Sequence, residues 1–147
     1  MSNAIINALG NALPQPIAAL GLSLGEYSAL TAAGAMNFEQ AVAIIKDRGR
    51  YMQTVGDENP GKMAAIMGEN QQLIENVLAK LQAEGKRVYP ANYNTFAQLV
   101  IGGIAADVDD AVVALTDAGI KRTIDLPVSG AFHTPLLKDA AVQLSER

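Results

Sequence analysis

Between Gly61 and Pro127 the chain alternates short and long apolar segments, and this alternation restricts the fold more than any other feature. Four of the segments are short, apolar and bounded by turn residues, as is typical of buried strands. They are Lys62–Gly68, Arg87–Tyr93, Ala97–Gly103 and Ile120–Pro127. Two longer segments, Asn70–Glu84 and Ala105–Ala118, repeat apolar residues at helical spacing. The resulting order, βαββαβ, predicts a ferredoxin-like split unit.

The residues before this unit predict helices around one short strand. Met1 to about Leu13 places apolar residues on one helical side, and the prolines that follow end the helix. The apolar run Pro16–Gly21 lies between proline and glycine, which favours a buried strand. A second helix is predicted from about Gly25 to Ala33, with Gly34 as its stop.

A longer helix is predicted from Asn37, whose spacing to Gln40 is that of a capping box, to about Val55. Arg48 lies on the apolar face of this helix, whereas Arg50 points the opposite way. A guanidinium on an apolar face needs an anionic partner, because an unpaired buried charge is very costly. Three interpretations stay open: an internal salt bridge, a side chain that reaches solvent, and a bidentate clamp for a substrate carboxylate.

The composition excludes several classes of function. The 147 residues are 50% apolar and 18% charged, as in a globular chain of about one domain. A net charge of −4 argues against a broadly basic surface for nucleic acid or membrane. Cysteine is absent and His133 is the single histidine, which excludes disulfides and histidine-rich metal sites and favours the reducing cytoplasm. No leader pattern and no apolar run of about 18 residues is recognisable.

The segment from Gly21 to Gly25, GLSLG, fits the pattern G-x-S-x-G between the predicted strand and helix. A nucleophilic serine needs this arrangement, because the tight turn exposes its hydroxyl and the glycines relieve crowding. The helix N-terminus then offers amide donors to a developing oxyanion. A plain Gly-Ser turn is the alternative, and the strand-turn-helix context favours a nucleophilic Ser23.

His133 is the only imidazole that can act as a base for Ser23. It ends the predicted loop Ser129–His133, after which Thr134 is suited to cap a helix and Pro135 to occupy its first position. A loop histidine beside a helix start is more often structural when taken alone. Its presence with a serine elbow in one small chain, on a loop that suits a catalytic group, favours the catalytic interpretation.

Three longer motifs follow one another along the chain. They are Gly21–Leu30 (GLSLGEYSAL), Arg48–Met52 (RGRYM) and Gly130–His133 (GAFH). The segments between the second and third are Ala91–Asn94 (ANYN) and Leu99–Gly103 (LVIGG). In this order the motifs resemble the malonyl-CoA:acyl carrier protein transacylase family, and the resemblance covers about Pro16 to Arg147.

The resemblance implies a partial α/β-hydrolase-like large subdomain that carries the nucleophile elbow, with an inserted ferredoxin-like small subdomain. The large subdomain comprises residues 1–60 and 128–147, and the small one comprises residues 61–127. The family's first strand with its glutamine-containing oxyanion loop, and its C-terminal segment that orients the histidine, have no counterpart here. We therefore expect a truncated form with weak or no transacylase activity, whose incomplete sheet leads to self-association.

The family's functional residues map onto matching positions of this chain. By resemblance, Ser23 carries the acyl group, His133 is the base and Arg48 holds the malonyl carboxylate. The backbone amide of Leu24 is one oxyanion donor. Many members have histidine where this chain has Leu22, a departure that leaves the nucleophile and the base in place.

Three further residues are candidates for the acyl pocket. The Gly-Ala-Phe-His form resembles malonyl-selective members, in which the aromatic residue, here Phe132, crowds out a branched acyl chain. Asn92 and Asn94 flank a tyrosine in a matching segment, although asparagines in such positions are more often turn formers.

The implied function is transfer of a malonyl group from coenzyme A to the pantetheine thiol of acyl carrier protein, through an acyl-serine, in fatty acid biosynthesis. The expected partners are malonyl-CoA and acyl carrier protein, without cofactor, metal, nucleic acid or membrane. A serine esterase is a less favoured alternative, because an ordinary ester offers no carboxylate to Arg48. A catalytically silent fragment or binding module is the other alternative, with the ferredoxin-like part as a docking surface.

Overall fold

The computed structural model describes residues 2–14, 16–128 and 130–147, and the chain divides into two compact units. One unit contains the residues up to Arg50 together with Arg147, and the other is Tyr51–Glu146. The α-helices are α1 (Ser2–Leu9), α2 (Leu24–Ala32), α3 (Phe38–Glu58), α4 (Gln71–Ala83), α5 (Ala105–Asp117) and α6 (Lys138–Ser145). The strands are β1 (Gly61–Met67), β2 (Val88–Thr95), β3 (Gln98–Ile104) and β4 (Arg122–Asp125). Two 3₁₀ helices span Gly10–Ala12 and Pro135–Leu137.

The four strands form one antiparallel sheet in the order β2-β3-β1-β4. Strand β3 pairs with the whole of β1, and Ala65 lies opposite Val100. The predicted βαββαβ order is confirmed, with element ends that differ by a few residues from the predicted ones. Helix α4 begins where the side chain of Asn70 accepts a hydrogen bond from the amide of Leu73, at 3.0 Å.

The central strand β1 is buried on both faces of the sheet. Successive side chains of a strand point to opposite faces, and Ala64 and Ile66 enter a core that the strands share with α4 and α5. Its fully buried aliphatic members include Ile74, Leu78, Val88, Leu99, Ile101, Val108 and Leu115. Met63 and Ala65 point the other way into a smaller cluster, against which Phe132 packs. Burial of each large aliphatic side chain contributes about 1.5–3 kcal/mol.

The long helix α3 begins as its sequence predicts. The amide of Gln40 donates to Asn37 Oδ1 at 2.8 Å, and the amide of Asn37 donates to Gln40 Oε1 at 2.9 Å. This reciprocal pair is a capping box, and it satisfies two amides that the helix itself leaves without acceptors. None of the helices within the described ranges combines the length and apolar character needed to cross a membrane.

The predicted extent of the first helix is wrong. Helix α1 ends at Leu9 instead of continuing to about Leu13. Gly10 adopts a φ of 45°, and a 3₁₀ helix begins there. A residue with positive φ leaves the right-handed helical region, which explains why the α-helix stops at this glycine.

The predicted buried strand Pro16–Gly21 is also wrong. The described residues of this segment form no strand, and Ile17 and Leu20 are exposed at 105% and 91% of their reference areas. A strand exists only where a neighbouring strand accepts and donates its backbone hydrogen bonds. Among residues 2–14 and 16–50, no strand is available to pair with this segment.

The predicted self-association of the chain stays a prediction.

The last helix begins later than predicted. Pro135 occupies the first position of the 3₁₀ helix, as predicted, and α6 follows it. Thr134 occupies the N-cap position, as predicted, and its carbonyl accepts a hydrogen bond from the amide of Leu137 at 3.1 Å, but its side chain makes no capping bond. The Thr134 hydroxyl is buried instead and donates to the Ala131 carbonyl at 2.6 Å.

The two units bury different amounts of their residues, and this difference predicts unequal protection from hydrogen exchange. Among residues 2–50 whose burial is described, only Ala41 is buried, whereas the sheet unit contains two buried clusters. Local opening is easier where few apolar contacts resist it. We expect the amides of β1 and β3 to exchange far more slowly than those of α1 and α2 in peptide-resolved exchange on this chain. Uniform protection along the chain would contradict this expectation.

Candidate active site

Ser23 sits at a strained turn that leads directly into α2. Its backbone has φ 52° and ψ −111°, which is costly for a residue that carries a side chain. The amide of Gly25 bonds to the Leu22 carbonyl at 2.9 Å, and the amide of Glu26 bonds to the Ser23 carbonyl at 3.1 Å. Leu24 is the first residue of α2, so its amide has no acceptor within the helix. The turn therefore presents a hydroxyl and a helix N-terminus at the same place.

Only one of the two glycines of the G-x-S-x-G pattern is required by close packing. A Cβ atom at Gly21 would lie 2.1 Å from both the carbonyl carbon and the carbonyl oxygen of Gly25. A Cβ atom at Gly25 would meet nothing within 4 Å. Gly21 is thus needed for the turn to close on itself.

Arg48 is the residue that the fold brings to Ser23. Its Nη2 donates a hydrogen bond to Ser23 Oγ at 3.0 Å, from the neighbouring helix α3. The Arg48 side chain is half-buried, and its guanidinium carbon lies 5.8 Å from the centroid of the Tyr27 ring. Among the salt bridges formed by the described residues, none involves Arg48. An internal salt bridge within the described residues therefore does not explain its position.

Arg50 has the opposite environment, as its place on the helix predicts. It is exposed, and its Nη2 lies 3.3 Å from Asp47 Oδ1. The Asp47 carboxylate also accepts a hydrogen bond from Arg147. The Arg147 hydrogen bond, and to a smaller extent Arg50 and Lys46, hold the pKa of Asp47 below its ordinary value. The two arginines of α3 thus differ in what they bind.

His133 belongs to the sheet unit and lies on an exposed loop after β4. The loop is held to the sheet, because Ala131 is buried and a Cβ atom at Gly61 would lie 2.5 Å from its amide nitrogen. His133 has φ 61°. Within the described residues, it and Ser23 are the only non-glycine residues with positive φ. Strained backbone of this kind clusters at functional sites.

The three candidate pocket residues lie at different places in the sheet unit. Phe132 is half-buried against the smaller of the two apolar clusters. Asn92 is half-buried within β2, opposite Val100 of β3. Asn94 is exposed near the β2–β3 turn, and its Nδ2 donates to Gln98 Oε1 at 2.8 Å. A part in acyl binding stays a prediction for all three.

Ser129, the first residue of the predicted loop that ends at His133, lies outside the described residues.

Sequence reasoning missed Tyr27, which the structure places against Arg48. Tyr27 follows Ser23 by four residues and lies in the first turn of the helix that begins directly after the serine. That spacing is the signal from which its position beside the serine could have been inferred.

In the described part of the chain, no group of three or more histidine, aspartate or glutamate side chains is arranged to hold a metal ion.

The comparisons with known proteins agree on one family. The family profile described as "Acyl transferase domain" matches residues 1–147. A malonyl CoA-acyl carrier protein transacylase of Bacillus subtilis (strain 168) is 44% identical over 126 residues, which are 86% of this chain and 40% of that protein.

Two solved structures extend the comparison to the fold. The crystal structure of MCAT from Streptococcus pneumoniae has a TM-score of 0.90 at 48% identity, over 99% of this chain and 47% of that one. A malonyl-transacylase in complex with its type II PKS acyl-carrier protein has a TM-score of 0.89 at 33% identity, over 99% and 47%. The chain therefore spans less than half the length of each of these relatives.

The contrast between Gly21 and Gly25 gives a prediction about the elbow. Gly21→Ala forces the backbone apart, so we expect loss of the Ser23 conformation and fraying of the first turn of α2. Gly25→Ala meets no atom, and because alanine favours helix over glycine by about 1 kcal/mol, it should strengthen α2. Backbone Cα chemical shifts of Ser23 and α2 would report both effects. Equal shifts in the two variants would contradict the role assigned to Gly21.

Proposed function

Because the chain belongs to the acyl transferase domain family, we propose that it carries the nucleophile, the base and the carboxylate-binding arginine of a malonyl-CoA:acyl carrier protein transacylase. The observation that carries the proposal is the 3.0 Å hydrogen bond from Arg48 to Ser23 Oγ at a strained elbow. In a malonyl thioester one methylene separates the carboxylate from the reacting carbonyl. An arginine beside the nucleophile matches that spacing.

The proposed reaction has two acyl transfers that share one serine. His133 takes the proton of the Ser23 hydroxyl as the oxygen attacks the thioester carbonyl of malonyl-CoA. The C–S bond breaks, the proton passes to the departing thiolate of coenzyme A, and a malonyl-serine ester remains. The pantetheine thiol of acyl carrier protein then gives its proton to His133 and attacks the ester. Ser23 leaves with that proton, and the malonyl thioester of the carrier is formed.

The amide of Leu24 is proposed as an oxyanion donor for both tetrahedral intermediates. Leu24 is the first residue of α2, a helix of nine residues whose N-terminus carries partial positive charge. Preorganised amides of this kind stabilise the charge that develops on the carbonyl oxygen, and loss of one such donor costs about 10²–10³ in turnover.

Arg48 is proposed to bind the malonyl carboxylate. A charge-assisted hydrogen bond contributes about 1.5–3 kcal/mol, or about ten- to hundredfold in selectivity over an acyl group without a carboxylate. Phe132 is proposed to narrow the acyl pocket, with Asn92 and Asn94 near it. The relative found with an acyl-carrier protein supports a carrier protein as the acceptor for this chain as well.

The finer description of the fold is also a proposal. Residues 61–127 are assigned to a ferredoxin-like small subdomain, a proposal supported by their element order and by the sheet order β2-β3-β1-β4. Residues 1–60 and 128–147 are assigned to an α/β-hydrolase-like large subdomain, supported by the elbow before α2. The absence of cysteine suits the cytoplasm as the location of this activity.

The activity of the 147-residue chain by itself is expected to be weak. The relatives are more than twice as long as the part that this chain matches. By resemblance, a second oxyanion donor and the group that orients the histidine belong to the parts that the match does not span. Activity is therefore tested on the chain complemented with the segments that the match does not span, joined to it or supplied as a second chain, and this assembly is called the complete protein.

Ser23 is expected to be the residue that becomes acylated. Incubation with malonyl-CoA should add one malonyl group to the intact protein, and peptide mapping should place it on Ser23. Ser23→Ala should abolish the label, because no other hydroxyl occupies the elbow. Ser28→Ala removes a serine of the same helix and serves as the matched control, which should label normally. Label that persists in Ser23→Ala would exclude the proposed nucleophile, and no label on the wild type would favour a silent binding module.

Arg48 is expected to determine carboxylate selectivity. Arg48→Ala should lower kcat/KM for malonyl-CoA by about ten- to hundredfold while acetyl transfer is kept or gained, because only the malonyl group offers a carboxylate to the guanidinium. Arg50→Ala is the control on the same helix and should change neither rate appreciably. If the malonyl and acetyl rates fell together in Arg48→Ala, the residue would be structural.

A further inference from the structure

The Tyr27 ring lies against the guanidinium that bonds to Ser23. The Arg48 guanidinium carbon is 5.8 Å from the ring centroid, within the range of a cation–π interaction. Both side chains are half-buried, so water screens the contact only in part. Together with the hydrogen bond to Ser23, the contact holds the end of this flexible side chain.

The two interactions act on different parts of the guanidinium. A ring attracts the group through its flat face, whereas all five N–H donors point outward in the plane of the group. The bond from Nη2 to Ser23 Oγ uses one of those in-plane donors, at 3.0 Å. Contact with the ring therefore uses none of the N–H groups that Arg48 can donate to a further acceptor near the serine.

Because Tyr27 belongs to α2, the same segment that forms the serine elbow also positions the ring against Arg48. Tyr27 lies in the first turn of α2, directly after Ser23, while Arg48 reaches both from α3. An arginine side chain has many rotamers, and ordering it when a ligand binds reduces affinity. A ring that orders the guanidinium in advance removes part of that cost.

We propose that Tyr27 is a positioning residue that holds the Arg48 guanidinium at Ser23 and thereby increases selection for acyl groups that end in a carboxylate. The selectivity half of this inference rests on the function proposed above, whereas the positioning half rests on the geometry alone. The aromatic ring acts here, and the Tyr27 hydroxyl has no part in it.

The kinetic test compares Tyr27→Leu with Tyr27→Phe in the complete protein. The leucine variant loses the ring, and we expect kcat/KM for malonyl-CoA to fall by about two- to fivefold, through KM, while acetyl transfer is unchanged. The phenylalanine variant keeps the ring and should retain the wild-type ratio of malonyl to acetyl transfer. Tyr93→Leu, which removes an exposed ring of β2, is the control for loss of a tyrosine as such. An unchanged ratio in Tyr27→Leu, or equal losses in the leucine and phenylalanine variants, would overturn the proposal.

A spectroscopic test on the 147-residue chain does not depend on turnover. The Nε–Hε resonance of Arg48 should be displaced by the ring current of Tyr27 in the wild type and in Tyr27→Phe. It should return toward the free-arginine position in Tyr27→Leu but not in Tyr93→Leu. If the resonance did not respond to loss of the Tyr27 ring, the positioning role would be excluded. If it did respond while the complete protein transferred no malonyl group, the positioning role would stand and the proposed function would fail.

Discussion

The candidate site depends on one close backbone contact, the approach of Gly21 to the carbonyl group of Gly25. A side chain at Gly21 would occupy the same space as that carbonyl, with only 2.1 Å between the atoms. With the loop closed in this way, Ser23 is turned to φ 52° and its hydroxyl faces Arg48. The strain at Ser23 costs of the order of 1–3 kcal/mol, so the surrounding contacts must over-determine it. The geometry of the site is therefore a property of the loop backbone before it is a property of any side chain.

Local sequence predicted the elements whose stabilising contacts are local or periodic. The strands and helices from β1 to β4 followed from the spacing of apolar residues, and the start of α3 followed from Asn37 and Gln40, because capping groups are three residues apart. The segment Pro16–Gly21 was predicted incorrectly, since apolar character alone does not provide the neighbouring strand that a strand needs. Thr134 takes the predicted N-cap position, but its hydroxyl donates to a carbonyl of the preceding loop instead of capping the helix.

Only part of the candidate site could be predicted, because the sequence shows local patterns but not the tertiary contacts between helices. The G-x-S-x-G pattern identified the turn, and the helical spacing of α3 distinguished Arg48 from Arg50. Spacing gives the face of a helix but not the reach of a side chain, so the bond from Arg48 to Ser23 required the structure. The contact with Tyr27 was missed because it joins residues of two helices. The positive φ of His133 leaves no trace in composition or periodicity.

The pairing of a strained nucleophile with an arginine that has no carboxylate partner among the described residues has a mechanistic consequence. As long as Nη2 donates to Ser23 Oγ, the guanidinium favours electron density on that oxygen but also occupies one of its lone pairs. An arriving carboxylate is a stronger acceptor than a neutral hydroxyl, because charge-assisted hydrogen bonds are about twice as strong as neutral ones. Under the proposed function, a carboxylated acyl group binds the other donors of the same guanidinium while Nη2 stays at Ser23, so the arginine selects the substrate beside the nucleophile. An acyl group without a carboxylate forms none of these charge-assisted bonds.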